Sequence, residues 1–173
     1  HFSKDKVTIA GRDEKKAQKF AESLQSKRVD FIKTEVTDIK ALSEILKKYD
    51  VCVNATQYYY NLHVMKACSK AKTNYLDLGG LFHLTRKQLL LHAQFKKNKK
   101  IAILGCGSTP GITNVMAAYA ARYFDTIQNI EMSFADADFT QYRQKFIIPY
   151  SFYTLIDEFT LNPYIFHQGR LSQ

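Results

Sequence analysis

Short apolar segments alternate with charged, helix-periodic stretches over the first two thirds of the chain. The apolar segments begin at Val7, Val29, Val51, Asn74 and Ile101. Each follows the previous one after about 22 to 27 residues, which is the length of a strand, a helix and their loops. Strands that alternate with helices in this way form a parallel sheet with right-handed crossovers. The pattern predicts a Rossmann-like, doubly wound α/β fold, whose ligands bind at the carboxyl ends of the strands.

The same periodicity sets the bounds of the predicted elements. Strands are predicted at residues 7–10, 29–33, 51–55, 74–78 and 101–104. Helices are predicted at residues 13–26, 39–48, 59–71 and 85–97. A further helix is predicted from Pro110, a residue that suits a first helical turn, to about Phe124.

The pattern changes near Asp125. Residues 127–137 alternate like a half-exposed antiparallel strand, and shorter strands are predicted at residues 146–148 and 164–166, with a helix at 151–159. We therefore predict two domains. Residues 1–124 form the parallel α/β domain without its first strand–helix unit, and residues 125–173 begin a second, incomplete α+β domain.

One turn expected of this fold is missing. A dinucleotide-binding fold opens with a strand and a G-x-G-x-x-G turn that lets the pyrophosphate approach a helix N-terminus, and no such turn stands near His1. Without that strand, the strands that begin at Val7 and Val51 would keep unpaired edges in mid-sheet. We therefore expect a further strand–helix unit before His1 in the natural protein. The alternative is a sheet that begins at Val7 and forms a smaller, flavodoxin-like domain.

Composition narrows the class of protein. The 173 residues carry a net charge of +9 and three cysteines without metal-ligand spacing. No apolar run approaches the roughly 20 residues of a membrane span. We expect a cytoplasmic protein without a metal site, in which Cys52 and Cys106 are core thiols of a reducing compartment. Because the lysines are spread over predicted helix faces, a solvated surface is favoured over nucleic-acid binding.

Gly11 and Arg12 follow the first strand, which is the second strand of the fold if a unit precedes it. An arginine here can pair with the 2′-phosphate of NADP, whereas an acidic residue would bind the free ribose hydroxyl of NAD. Arg12 therefore favours NADP, and NAD remains possible because Asp13 could turn toward the ribose. The alternative for Arg12 is a solvent-exposed side chain at a helix start.

Two further strand ends carry candidate cofactor contacts. Val36, Thr37 and Asp38 follow the second strand and would flank the adenine, although Asp38 also suits a helix cap. The third strand ends in three residues that let the backbone approach a cofactor, namely Asn54, Ala55 and Thr56.

Tyr58 and Asp77 are the candidates for contact with a substrate. Tyr58 is the tyrosine nearest the end of the third strand, and the alternative for such aromatic residues is packing against a helix. Asp77 closes the fourth strand, where its carboxylate could bind a substrate ammonium or transfer a proton. An aspartate that bonds the amides of its own turn is an equally good interpretation of Asp77.

A glycine-rich loop follows the fifth strand. It contains Gly105, Gly107, Pro110 and Gly111 and leads into the predicted helix. Backbone amides at a helix N-terminus suit a carboxamide or an anion. The loop therefore adds a candidate contact with the nicotinamide end of a cofactor.

Several segments resemble the saccharopine dehydrogenase (reductase) family, which also includes lysine 6-dehydrogenase and carboxynorspermidine synthase-type enzymes. They are VTIAGRDEKKAQKFAESL, EVTD, NATQYYYNLHVMKAC, YLDLGG, LGCGSTPGITNVMAAYAA and QKFIIPYSFYTLIDEF, in family order. The resemblance implies reversible NAD(P)-dependent oxidoreduction at a C–N bond of an amino-acid-like substrate. We also expect a cytoplasmic homodimer. The second domain would be the start of a substrate and dimerisation domain.

The resemblance also implies roles for individual residues. Arg12 looks like the residue that binds the NADP phosphate, and Tyr58 looks like a substrate-side tyrosine. Lys145 corresponds to a lysine near the substrate. The strand end at Asn54, Ala55 and Thr56 and the loop at Gly107, Pro110 and Gly111 look like contacts of the ribose and nicotinamide. The alternative to an enzyme is a catalytically inactive NAD(P)-binding scaffold or regulatory protein.

The chain departs from the saccharopine-forming members at two places. Those members often read D-P-G where this chain has Thr109-Pro110-Gly111, and they often have proline where it has Gln57. The resemblance therefore implies a class of substrate and does not extend to saccharopine itself.

Overall fold

The computed structural model describes residues 4–133, 135, 137–143, 147–148, 151–162 and 164–172. Its internal contacts divide the chain into two units, residues 1–124 and 125–173. No helix in these described ranges is long and apolar enough to cross a membrane.

The first unit alternates strands and helices as the periodicity predicts. In chain order its elements are β1 (Val7–Gly11), α1 (Glu14–Ser23), β2 (Val29–Lys33), α2 (Ile39–Leu46), β3 (Val51–Asn54), a 3₁₀ turn (Tyr58–Tyr60), α3 (Asn61–Ala71), β4 (Asn74–Asp77), α4 (Phe82–Leu89), α5 (His92–Lys97), β5 (Ala102–Ile103), α6 (Ile112–Ala120) and a 3₁₀ turn (Ala121–Tyr123). Two helices begin at aspartate caps, since Asp13 accepts a hydrogen bond from the Lys16 amide and Asp38 accepts one from the Ala41 amide.

All strand pairs of the first unit are parallel. β1 pairs with β2 so that Gly11 lies opposite Lys33, and β3, β4 and β5 form a second sheet in that order, with Asn54 opposite Asp77. These pairings confirm the predicted parallel α/β class. Within the described residues, β1 and β3 do not pair with each other. The parallel register brings the carboxyl ends of neighbouring strands to the same edge of each sheet.

The core lies on the face of the three-stranded sheet that α3 covers. It contains Leu42, Leu46, Val64, Met65, Ala67, Cys68, Tyr75, Leu91 and Phe95. The opposite face of the same sheet is half-exposed at Val51, Val53 and Ile103. Alternation along β3 and β4 therefore turns Asn54, Tyr75 and Asp77 toward the covered side.

Three predictions for this unit need correction. The helix predicted at residues 85–97 is two helices, because the amides of Leu91 and Gln94 bond three residues back and turn the chain between α4 and α5. The helix predicted from Pro110 begins at Ile112, because the Pro110 carbonyl accepts the Gly107 amide and holds the chain in a loop. Cys106 is exposed, whereas Cys68 is the fully buried thiol.

The second unit contains a helix and a hairpin in its described residues. They are α7 (Phe152–Thr160), capped by Ser151, and the antiparallel strands β6 (Ile165–His167) and β7 (Arg170–Ser172). Gln168 and Gly169 join the strands with positive φ at both residues, as a two-residue hairpin turn requires. The strand predicted at 127–137 is not formed by the described residues there. The strand predicted at 146–148 lies partly outside the described residues.

Candidate functional site

The carboxyl ends of β1 and β2 enclose an open cavity of about 350 Å³. Arg12 follows β1, and Lys33 ends β2, so two cations reach the cavity from neighbouring strands. The remaining lining residues are Thr34, Glu35, Asp38, Ala41 and Ile45. The two strand ends are tied together because the Thr34 amide donates to the Gly11 carbonyl over 3.0 Å. The cavity therefore combines two cationic and two acidic side chains with a fixed backbone.

Arg12 is exposed and forms no hydrogen bond or ion pair with any residue that the structure describes. Asp13 is engaged elsewhere, because its Oδ1 atom caps α1 at 3.0 Å from the Lys16 amide. A Cβ atom added to Gly11 would meet no atom within 4 Å. Open space beside an unpaired guanidinium can accommodate an anionic group.

The adenine-side candidates have different surroundings. Asp38 lines the cavity and accepts the Ala41 amide at 2.9 Å, so the helix cap and the cavity position hold together. Val36 packs partly against the core, whereas Thr37 is exposed. Glu35 lines the cavity and accepts the Thr37 amide at 3.4 Å. Of the three candidates, Asp38 is the one that lines the cavity.

The end of β3 is organised by two asparagines. Asn54 is buried, and its Nδ2 atom donates to Asn61 Oδ1 at 2.8 Å. Its Oδ1 atom accepts the hydroxyl of Thr56 at 2.7 Å, so the strand end bonds its own turn. Asn61 then donates to the Gly79 carbonyl at 3.0 Å, which joins α3 to the loop after β4. Ala55 and Thr56 remain exposed at this edge.

Tyr58 is half-buried at the start of the 3₁₀ turn. Its ring lies 4.2 Å from the Tyr59 ring, centroid to centroid, and its hydroxyl donates to the Tyr59 hydroxyl at 2.9 Å. A Cβ atom added to Gly80 would come within 2.5 Å of Tyr58 Cβ. Tyr58 thus packs directly on the loop after β4, and Tyr60 packs edge-on against His63.

Asp77 is fully buried. Its Oδ1 atom accepts the amides of Gly79 at 2.9 Å and Gly105 at 2.8 Å. Its Oδ2 atom accepts Gln88 Nε2 at 2.7 Å and the Tyr75 hydroxyl at 2.9 Å. This geometry favours the aspartate that bonds turn amides over one that meets a substrate.

The β5–α6 loop uses its own amides. The Gly105 amide donates to the Asp77 side chain, and the Cys106 amide donates to the Asp77 carbonyl. The Gly107 amide donates to the Pro110 carbonyl, and the Gly111 amide donates to Asn114 Oδ1. These four amides therefore have hydrogen-bond partners within the protein, and the contact of the loop with a carboxamide or an anion stays a prediction. The loop also packs closely against the loop after β4, since a Cβ on Gly79 would lie 2.5 Å from Pro110 Cγ.

The sequence-predicted residues thus form two groups. Gly11, Arg12 and Asp38 gather at the cavity after β1 and β2. Asn54, Tyr58, Asp77 and the glycine loop gather after β3, β4 and β5. Lys145 lies outside the described residues. Four further residues of these groups, Lys33, Asn61, Tyr75 and Gln88, were not predicted from the sequence, although Tyr75 and Asp77 stand two residues apart on a strand and so share a face.

Burial raises the pKa of Tyr75 above its ordinary value of 10, and the Asp77 carboxylate adds to the shift, outweighing a hydrogen bond from Asn54 that lowers it. Because Tyr75 ionises at a lower pH in the unfolded chain than in the folded protein, its contribution to the free energy of unfolding is fully present below about pH 10 and is lost as the pH rises above that value. Between about pH 9 and pH 11 we expect this tyrosine to lower the free energy of unfolding by roughly 1.4 kcal/mol.

The Tyr75→Phe variant should lack this alkaline loss. Denaturant unfolding of the protein and the variant at about pH 9 and about pH 11 measures the difference, and equal slopes with pH would contradict it. The lost hydroxyl bond lowers the variant's stability at both pH values alike, so it does not affect the comparison.

Comparison with known proteins adds the family. The family model of the saccharopine dehydrogenase NADP-binding domain matches residues 1–103, from before β1 to the end of β5. The chain belongs to this family. The match confirms the resemblance that the sequence segments indicated, and it confirms NADP as the cofactor of this domain.

Named relatives of the saccharopine dehydrogenase family agree with this assignment. The carboxynorspermidine synthase of Vibrio cholerae serotype O1 is 33% identical over 147 residues, which cover 73% of this chain and 36% of the relative. The carboxyaminopropylagmatine dehydrogenase of Synechocystis sp. is 27% identical, with 73% of this chain and 34% of the relative covered. The chain thus spans about a third of the length of these relatives.

A solved structure shares the fold. It is the apo, histidine-tagged saccharopine dehydrogenase (L-Glu forming) from Saccharomyces cerevisiae, with a TM-score of 0.60 and 25% identity. The similarity covers 68% of this chain and 25% of that one. The shared fold agrees with the parallel, Rossmann-like arrangement of β1 to β5.

Proposed function

We propose that the full-length protein is an NADP-dependent oxidoreductase that acts on a C–N bond of an amino-acid-like substrate. The observation that carries the proposal is the unpaired Arg12 guanidinium beside Lys33 at the ends of β1 and β2. Family membership and the printed names of the relatives, a synthase and a dehydrogenase of carboxylated amines, support the class of reaction.

The residues at the first cavity fit NADP better than NAD. Arg12 and Lys33 would hold the 2′-phosphate, because two cations from neighbouring strands can share one dianion. Oδ1 of Asp13 caps α1, so one of the two oxygens that could accept a free ribose hydroxyl is already engaged. Glu35 and Asp38 also line the cavity, and each already accepts a backbone amide.

The second group of residues would form the reacting end of the site. When bound there, the cofactor would donate a hydride as NADPH to an imine carbon, or accept one as NADP⁺ from an amine carbon, while the nitrogen gains or loses a proton. Ala55 and Thr56 are exposed where a ribose could lie, and Tyr58 presents a half-buried phenol above the Gly80 turn. We assign Tyr58 to the substrate side and keep Lys145 as a substrate contact.

Assembly and location complete the proposal. We infer that the second unit begins the substrate domain and that the enzyme is a cytoplasmic homodimer. Three free cysteines among the described residues support a reducing compartment. The hydrogen bond with Cys52 and burial both raise the pKa of Cys68, which keeps that side chain a packed thiol.

The test uses the purified full-length protein. NADPH is titrated first, and its oxidation is then followed by absorbance across pairs of an amino acid or polyamine with a keto acid or aldehyde. We expect turnover with at least one pair and formation of a secondary amine. NADPH binding without turnover over the whole panel would instead favour a cofactor-binding scaffold, and absence of NADPH binding would refute the proposal.

A further inference from the structure

Asp77 is the one charged side chain among the fully or nearly fully buried residues that the structure describes. It ends β4, at the edge of the sheet where the loops after β3, β4 and β5 meet. No lysine or arginine in the described ranges forms an ion pair with it. A buried charge without an ion pair is costly unless hydrogen bonds satisfy it, so its partners define its role.

All four partners of the Asp77 carboxylate are donors. The amides of Gly79 and Gly105 converge on Oδ1, and the Gln88 amide and Tyr75 hydroxyl converge on Oδ2. Each of the two oxygens therefore accepts two hydrogen bonds from groups of the protein. Because the side chain has no exposed surface, it does not meet a substrate.

The backbone of Asp77 makes the same connection. Its carbonyl accepts the Cys106 amide at 2.8 Å, so one residue holds two consecutive amides of the β5–α6 loop. The carboxylate holds the Gly79 amide of the β4–α4 loop at the same time. These bonds fix the distance between two loops whose glycines already lie against Pro110 and Leu78.

We propose that Asp77 is a positioning residue, which sets the two glycine loops so that they receive the nicotinamide half of NADP. This inference rests on the proposed function. Asp77 would affect one half of the cofactor only, because Arg12 and Lys33, which would bind the other half, lie at the ends of β1 and β2 and share no hydrogen bond with Asp77. Loss of the carboxylate should therefore weaken the nicotinamide half and spare the phosphate half.

Two substitutions separate positioning from proton transfer. Asp77→Leu removes every acceptor. Asp77→Asn keeps Oδ1 as the acceptor for the two glycine amides. Its NH₂ group can donate to Gln88 if the Gln88 side-chain amide flips and presents its oxygen. It can also donate to the Tyr75 hydroxyl oxygen if the Tyr75 proton turns to the Asn61 carbonyl, 3.3 Å away. Positioning requires the Oδ1 contacts only, whereas proton transfer requires the carboxylate itself.

Thr73→Val is the matched control. Thr73 is also buried, stands directly before β4 and donates to the Leu46 carbonyl at 2.8 Å. Its loss removes a buried hydrogen bond at the amino end of the same strand, away from the loops. A general loss of stability would appear in this variant as well.

The experiment measures two ligands on each variant of the full-length protein. Adenosine 2′,5′-bisphosphate reports the phosphate half, and NADPH reports the whole cofactor. For Asp77→Leu we expect NADPH binding to fall about tenfold or more, with less than about threefold change for the bisphosphate. Asp77→Asn and Thr73→Val should stay within about threefold for both ligands, and Asp77→Asn should keep turnover within about tenfold.

Other results overturn the inference. Equal weakening of both ligands in Asp77→Leu would show a structural effect alone. Loss of turnover by more than about a hundredfold in Asp77→Asn would assign proton transfer to the carboxylate. If Asp77→Leu does not fold, the turnover and ligand ratio of Asp77→Asn decide. Wild-type protein that binds neither ligand would refute the proposed function, and this inference with it.

Discussion

The Arg12→Ala variant of the full-length protein is expected to bind NADPH about 10- to 150-fold more weakly than the wild type, and NADH within about threefold of it. Hydrogen bonds between charged partners contribute roughly 1.5 to 3 kcal/mol, and the guanidinium forms none within the described protein. Its whole contribution is therefore available to the 2′-phosphate, which NADH lacks. Isothermal titration with both nucleotides measures the two affinities.

A charge-matched control separates contact from long-range attraction. Lys19→Ala removes the same charge from α1, where the exposed lysine does not line the cavity. We expect this variant to change NADPH binding by less than about twofold at physiological salt, because exposed charges beyond a Debye length are screened. Equal losses for NADPH and NADH in Arg12→Ala would show that Arg12 does not bind the phosphate.

The Gly111→Ala variant is expected to lose about 3 kcal/mol of stability. Gly111 has a φ of 138°, a conformation that residues with a Cβ rarely adopt. An added Cβ would also collide with the backbone oxygen of Gly107, which accepts a hydrogen bond from the Ile112 amide at the start of α6. The loop and the start of α6 must therefore rearrange, and thermal unfolding of the protein should detect the loss.

Gly11→Ala is the matched glycine control for stability. A Cβ there meets no atom within 4 Å, and the backbone has no positive φ. We expect a change within about 0.5 kcal/mol. A Gly111→Ala protein as stable as Gly11→Ala would contradict the close packing of the loops after β4 and β5.

The parallel strands were predictable because apolar runs of four to five residues between helix-periodic stretches have few other folded arrangements. The caps at Asp13 and Asp38 follow from local chemistry, because an aspartate directly before a helix can accept an unpaired amide of its first turn. The break between α4 and α5 was not predictable, since Gln88, Leu91 and Phe95 continue one helical face across it. The hairpin strand β7 is too short to have a periodic pattern.

Asp77 shows where sequence reasoning about the site ends. Its place at a strand end follows from periodicity, and its shared face with Tyr75 follows from the two-residue repeat. The return of Gln88 and of the Gly105 amide to the same carboxylate depends on tertiary packing, which no local spacing contains. The sequence therefore left a substrate contact and a turn-bonded aspartate equally open, and the geometry favours the second.

The crystal structure of the full-length protein with NADP bound tests the central claim most directly. We expect the 2′-phosphate within about 3 Å of the Arg12 guanidinium and the nicotinamide beside the loops that contain Gly79 and Gly107. A dinucleotide whose phosphate lies beyond hydrogen-bond reach of Arg12, or whose nicotinamide lies away from those loops, would contradict it.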